Sequence, residues 1–276
     1  MNTDAQPRFS VIICSINAWK FAQVSQCYAR LLASWPHEII GIHDASSIAE
    51  GYNRGIARSR GDILIFSHDD VMIIDPDFAA KISERLQTWT ILGFTGTSRL
   101  INAIWFGAGL SHQHGVVAHP YKTHFKLSVY GVSGWPVIGG IQAIDGQCMI
   151  TTHEAAQAIG FDAATFDGFH LYDLDFSFAA YHAGYELGVC CDIPFFHESV
   201  GNYDRQHRKY AKRFVAKYAE LKDAPPEHIV KIPKGRAALF SDEQAILAAW
   251  RPDVLKRTDI AMRQEFAESM STPFAQ

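Results

Sequence analysis

Four runs, "FSVIIC" (9–14), "EIIGIH" (38–43), "DILIF" (62–66) and "TILGFT" (90–95), are short, apolar and rich in β-branched residues. Unbroken runs of this kind suit strands covered on both faces, as in a parallel sheet. Between them the period changes. Phe21, Val24, Tyr28, Leu31 and Leu32 recur at helical spacing, and Ser47 with Glu50 forms a capping box ahead of "GYNRGIARSRG", which Gly61 ends. Alternating strand and helix predicts right-handed crossovers and an α/β sandwich.

Residues 102–140 are dense in Gly, His and aromatic side chains without a clean period, which predicts loops and short strands over the sheet. Order returns with "IQAIDGQCMITT" as a strand pair or bent strand, a helix near 154–159, a helix over 173–183 stopped by Gly184, and a strand in "YELGVCC". After Gly201 the chain turns basic in "YDRQHRKYAKRFVAKY" and ends in a Pro-containing tail with two further helices expected. If the basic segment is helical, Tyr210, Phe214, Tyr218 and Leu221 form one apolar stripe. Arg205, Arg208, Lys209, Lys212 and Arg213 then lie largely elsewhere.

Composition narrows the class. The 276 residues are 48% hydrophobic and 20% charged, enough apolar content for one good-sized core. A formal charge of −4 argues against a nucleic-acid binder, which needs a basic excess to neutralise phosphates. Five cysteines, mostly within apolar runs, read as buried thiols of a reducing compartment, so the expected location is the cytoplasm. The longest apolar stretch, 129–144, is interrupted by five glycines or prolines and predicts no membrane span.

Candidate chemistry sits where the strands finish. "GDILIFSHDDV" ends a buried run in His68, Asp69 and Asp70, and ligands of open α/β sheets bind beyond the carboxyl ends of the strands. Residues two apart in an extended segment share a face, so His68 and Asp70 can present an imidazole nitrogen and a carboxylate oxygen to one divalent cation, Mn²⁺ as well as Zn²⁺ or Fe²⁺. The competing role for Asp69 and Asp70 is to start a turn or cap the next segment. Asp44 ends the second run, and Ser15 with Asn17 follows the first. An Asp at that edge can accept from the N–H of a uracil ring, or can simply cap a turn.

These segments in order, "FSVIICSIN", "EIIGIHDASS", "AEGYNRGIARSRGDILIFSHDDV", "IDGQCMITTHEAAQAIGFD" and "YDLDFSFAAYHAGYELGV", resemble nucleotide-sugar glycosyltransferases of the GT-A fold, in particular family 2 and its majastridin-like relatives. The resemblance covers about residues 9–201. It implies a Rossmann-like, mostly parallel sheet flanked by helices over 1–201, with a basic, mainly helical C-terminal extension over 202–276. It also implies a metal-dependent, inverting transfer of a sugar from a nucleotide donor, most simply UDP-linked, with Mn²⁺ or Mg²⁺ as cofactor. The acceptor would be a saccharide or a lipid-linked hydroxyl.

By the same resemblance Ser15 and Asp44 line a uridine pocket, Asn53 lies in the family's diphosphate-side turn, Asp69 is near the ribose, and Asp145 with Gly146 borders the donor sugar. Asp70, with His68 and the late His197, would hold the metal. Asp173 would be the base and Asp175 its reserve, although acids at a helix N-terminus are also stabilised by the dipole. Three positions depart from the family's pattern: Tyr52 for an Arg, His68 for an Asp and Tyr172 for a Glu. They leave room for a rival, a GT-A-fold nucleotide-binding or interaction protein without turnover. A nucleotidyltransferase would need a Gly-rich, Lys/Arg-bearing loop after the first strand, and none is evident.

Two further patterns have ordinary readings beside sharper ones. His112, His114, His119 and His124 match no zinc framework and are assigned to an acceptor-side loop. The basic segment 203–218 can be a solvated helix face, a neutraliser of the donor diphosphate, or a peripheral contact with the anionic inner face of a membrane.

Overall fold

The computed structural model describes residues 6–131, 135–199, 201, 203–223 and 236–250. The first apolar runs form strands β1 (Phe9–Cys14), β2 (His37–Ile42) and β3 (Ile63–Ser67), separated by helices α1 (Ala18–Leu31) and α2 (Ile48–Arg58). Asn17 caps α1 by accepting from the backbone N–H groups of Trp19 and Lys20, and Ser47 caps α2 by accepting from that of Glu50. α2 ends at Ser59 and not at Gly61. Gly61 lies against β1, where its N–H donates to Ser10 Oγ at 2.8 Å.

The chain continues through β4 (Val71–Ile73), α3 (Phe78–Arg85), β5 (Ile91–Gly93) and β6 (Thr95–Thr97). β7 (Gln113–Tyr121), β8 (His124–Tyr130), β9 (Val137–Ile138), β10 (Ala143–Ile144) and β11 (Cys148–Thr152) follow. Next come α4 (His153–Ile159), α5 (Tyr172–His182), β12 (Leu187–Cys190) and β13 (Phe195–His197). The described C-terminal elements are α6 (Arg205–Lys217), β14 (Arg236–Phe240) and α7 (Glu243–Ala249). α7 matches one of the helices expected in the tail; the remainder of that expectation lies outside the described residues.

One sheet of seven strands runs β2-β1-β3-β11-β5-β12-β9, and a second runs β10-β6-β7-β13-β4, with β8 and β14 added beside β7. β1 pairs in parallel with β2 and β3, so the three strands deliver their carboxyl ends to one edge. β11 enters antiparallel to β3, setting Cys148 opposite Ser67. Phe9, Ile12, Leu64, Phe66, Met149 and Ile150 are fully buried, which is why these strands read as continuous apolar runs. The segment expected as loops and short strands contains the long β7–β8 hairpin, joined through Tyr121 and His124.

A second apolar cluster docks α6 onto α5: Phe166, Leu174 and Phe178 meet Tyr210, Phe214, Tyr218 and Leu221. The predicted stripe is therefore the buried face. Two cations near the end of α6 are engaged within the fold. Arg213 reaches Asp167 at 2.7 Å, and Lys217 lies 2.8 Å from Asp162 and 2.7 Å from Asp175. Asp175 is 2% exposed and also accepts from the Tyr218 hydroxyl at 2.8 Å. Lys217→Met should therefore destabilise the protein by about 3 kcal/mol, because it strands a buried carboxylate. Urea denaturation checks this, and adding Asp175→Asn should restore most of the loss. Among the described residues no helix is long and apolar enough to cross a membrane.

Candidate functional site

The acidic tip is a turn between β3 and β4, so His68 and Asp70 meet at a turn and not because an extended segment alternates. β13 lies antiparallel to β4 with His197 opposite Val71, and the Glu198 N–H donates to the Asp70 carbonyl at 3.0 Å. That pairing sets the side chains of Asp70 and His197 next to each other. His197 Nε2 is 3.2 Å from Asp70 Oδ1 and 3.4 Å from His68 Nδ1, while His68 Nδ1 is 3.9 Å from the same carboxylate oxygen. Among the described residues this is the group of His, Cys and acidic side chains close enough to share an ion, its ligand atoms lying within 4.8 Å of one another.

The donor set suits a divalent cation. Burial, aided by neighbouring His197, pushes the His68 pKa down to about 4, so its imidazole is neutral with a lone pair available near pH 7. Burial opposes the charge of Asp70, but its bond to His197 and the nearby imidazoles hold the carboxyl well below the usual range. Two imidazoles and one ionised carboxylate make a mixed N/O site of the kind Mn²⁺, Zn²⁺ or Fe²⁺ accept. His197 Nδ1 is buried without a partner, whereas Nε2 faces the other two ligands.

His68, His197, Asp145 and Asp173 all line one cavity of about 570 Å³. Its size is that of a small-molecule site. Asp173 sits in the first turn of α5, where its Oδ2 accepts from the Gly146 N–H at 2.8 Å. Asp145, at the end of β10, accepts from the Gln147 N–H at 3.3 Å. Burial first, and the charge of Asp145 second, push the Asp173 pKa up to about 7; burial also raises that of Asp145. A carboxylate poised near neutral pH is suited to accept a proton.

Local backbone choices produce this arrangement. Leu171, the residue before α5, has φ of +63°, a left-handed conformation that costs a non-glycine residue about 1 kcal/mol and aims Tyr172 and Asp173 into the cavity wall. Gly146 is obligatory for a different reason: a Cβ there would lie 2.5 Å from the Tyr172 hydroxyl and 2.7 Å from Asp173 Cβ. The close approach that the sequence assigned to the donor sugar is thus filled by the protein's own side chains.

The residues expected around the nucleotide separate into two groups. Ser15 Oγ donates to Asp69 Oδ2 at 2.5 Å, tying the end of β1 to the tip of β3. Beside them a second cavity of about 390 Å³ is bordered by Trp19, Lys20, Asp69 and Asp70. Asp44 is elsewhere on the edge, 79% exposed and 2.9 Å from Arg54. Asn53 is engaged on both sides of its amide, donating to the Phe161 carbonyl at 2.7 Å and accepting from the Phe161 N–H at 2.9 Å. Its side chain therefore anchors the loop after α4. Asp175, the reserve base, is committed to Lys217 and Tyr218 as described above.

Sequence reasoning missed several cavity residues. His119, from the β7–β8 hairpin, borders the cavity and contacts the His197 carbonyl through Nδ1 at 2.8 Å. Trp105, Tyr130 and Tyr203 add an aromatic lining. They come from stretches without a helical or strand period, and only their density in aromatic and His residues marked them. His112 and His114 instead contact Ser98, at 3.3 and 3.0 Å.

Residues 10–218 match the family described as "Glycosyltransferase like family". No curated protein matches the chain. Among solved structures, GalNAc-T7 with UDP, GalNAc and Mn²⁺ is 12% identical with a TM-score of 0.50, covering 90% of this chain and 55% of its own. The mannosyltransferase PcManGT from Pyrobaculum calidifontis, in complex with GDP-Man and Mn²⁺, is 13% identical with a TM-score of 0.46, covering 81% of this chain and 67% of its own. TarS from S. aureus is 12% identical with a TM-score of 0.45, covering 80% and 67% respectively.

Proposed function

The chain belongs to the glycosyltransferase-like family and has the GT-A fold, and from that premise we propose that it transfers a sugar, with inversion, from a UDP-linked donor to an acceptor hydroxyl. The observation that carries this reading is that His68 and His197, two members of the cation cluster completed by Asp70, line the same cavity as the base Asp173. Asp70, His68 and His197 would hold a divalent cation, Mn²⁺ or Mg²⁺, which when bound offsets the negative charge growing on the departing diphosphate. Ser15 and Asp69 would contact the nucleoside, the one through its hydroxyl and the other through its carboxylate.

Asp173 takes the proton of the acceptor hydroxyl. As it does so, the acceptor oxygen bonds to the anomeric carbon, and the bond to the diphosphate oxygen breaks with its electron pair leaving on the nucleotide. Asp145 would orient the donor sugar by accepting from its hydroxyls, and its negative charge keeps the base ready near neutral pH. The aromatic lining suits the faces of a saccharide acceptor. Arg205, Arg208 and Lys212 are exposed on α6 and would face an anionic membrane if the acceptor is lipid-linked.

Thermal unfolding with a panel of UDP- and GDP-sugars, with and without Mn²⁺, tests the reading. A ligand present at 100 times its dissociation constant adds about 2.7 kcal/mol to the native state. A UDP-sugar should raise the midpoint in Mn²⁺ and do so much less in chelator. No shift from any nucleotide sugar, in either condition, contradicts the proposal.

A further inference from the structure

Tyr52, His68 and Tyr172, the three positions at which the chain departs from the family's pattern, are joined through Tyr172. The Tyr52 and Tyr172 rings meet edge to face with centroids 5.7 Å apart, and the Tyr172 hydroxyl lies 2.6 Å from His68 Nε2. Both tyrosines are buried. The histidine at the cation cluster is met by a hydroxyl at hydrogen-bonding distance from its far nitrogen.

An imidazole can bind a cation through one nitrogen only when that nitrogen is unprotonated, and the hydrogen bond of the other nitrogen decides which tautomer is present. The Tyr172 hydroxyl has one hydrogen and two acceptors in reach, His68 Nε2 at 2.6 Å and the Gly146 carbonyl at 3.4 Å; in the tautomer that frees His68 Nδ1, the hydroxyl directs it to the carbonyl. The hydroxyl oxygen is then the acceptor for His68 Nε2–H, and Nδ1 is left with its lone pair facing Asp70 and His197. Gly146 is held from its other side as well, its N–H donating to Asp173 Oδ2 at 2.8 Å.

We propose that Tyr172 is a positioning residue of the cation site: its hydroxyl fixes the ring and tautomer of His68 so that Nδ1 serves as a ligand beside Asp70 and His197. This rests on the cation reading given above and goes beyond it by assigning the compensating partner of the unusual ligand. The pair also links the cation cluster to the base through a single dipeptide, Tyr172–Asp173. A displaced His68 and a displaced Asp173 would therefore arise together.

The tests read the metal-free protein and the Mn²⁺-bound protein separately. In nitrogen-15 NMR of histidine-labelled wild type without metal, His68 should be protonated on Nε2; protonation on Nδ1 overturns the inference. By calorimetry with Mn²⁺ alone, Tyr172→Phe, which keeps the buried ring, should bind roughly 10- to 100-fold more weakly than wild type. Equal affinity overturns the inference. In a His68→Asp background, where no tautomer needs fixing, the added Tyr172→Phe change should leave Mn²⁺ affinity within about threefold. An equal loss in both backgrounds would mark Tyr172 as mere packing and overturn the assignment. Wild type that binds no Mn²⁺ overturns the cation reading itself, an outcome distinct from the preceding ones.

Discussion

Asp70→Ala is expected to lower kcat/KM by a factor on the order of 10³ or more and to weaken UDP binding in Mn²⁺. The substitution removes the one anionic group of the cluster, leaving two imidazoles that bring no negative charge to a doubly charged ion. The loss of an electrostatic group acting on developing charge typically costs about 10²–10³ in rate, and here the cation's anchor is lost as well. The effect should be specific to the metal: UDP affinity in chelator should be nearly the same for wild type and variant. Lys20, 3.8 Å from Asp70, keeps its contact with Glu198 at 3.4 Å, so no unpaired buried charge is created. Steady-state assays and calorimetry, each with and without Mn²⁺, check both parts. Retention of normal turnover would remove Asp70 from the mechanism.

Asp173→Asn is expected to reduce kcat by about 10²–10⁴, the usual contribution of a general base, with little change in donor affinity. An asparagine oxygen can still accept from the Gly146 N–H, so the turn at Gly146 stays in place while the proton acceptor is lost. For the wild type the rate should fall as pH drops through about 7, because Asp173 is then protonated and cannot accept. Asp145→Asn removes the charge that helps raise the Asp173 pKa, so the acid limb of its profile should move to lower pH. Stability carries the opposite sign. Since the folded pKa of Asp173 lies above its unfolded value, the native state binds the extra proton between about pH 4 and 7 and loses stability as pH rises through that window. Asp173→Asn should therefore melt higher than wild type at pH 8 and equally at pH 4, and a base variant that melts lower at pH 8 would contradict the burial argument.

The parallel end of the main sheet was legible because its strands are buried on both faces and so appear as unbroken apolar runs. β1 was bounded to the residue at 9–14, and β2 and β3 within one residue at each end. The β7–β8 hairpin was not legible. Its strands mix buried valines with His119 and Lys126, which border a cavity, so no period of two survives. The same holds for α6, whose stripe of Tyr210, Phe214 and Tyr218 was visible while the use of its cations was not. Asp162, Asp167 and Asp175, which bind them, lie more than forty residues away in sequence.

Within the site, His68, Asp69 and Asp70 could be read locally because they end one strand. His197 came from family resemblance alone, and the structure places it against Asp70 through backbone pairing that no local pattern encodes. Asn53 shows the converse: a residue in the expected turn whose amide holds both backbone groups of Phe161. Tyr172 looked like a defect. Its partner stands 104 residues earlier, so its meaning exists only in the folded chain.

The central claim is that the turn after β3, together with the end of β13, grips a divalent ion. Crystals soaked with UDP and Mn²⁺, measured at the manganese absorption edge, test it directly. The account predicts an anomalous peak bounded by His68 Nδ1, Asp70 Oδ1 and His197 Nε2, with the diphosphate of the nucleotide on its open side. Nucleotide bound elsewhere, or bound here with no peak among those three atoms, would contradict it.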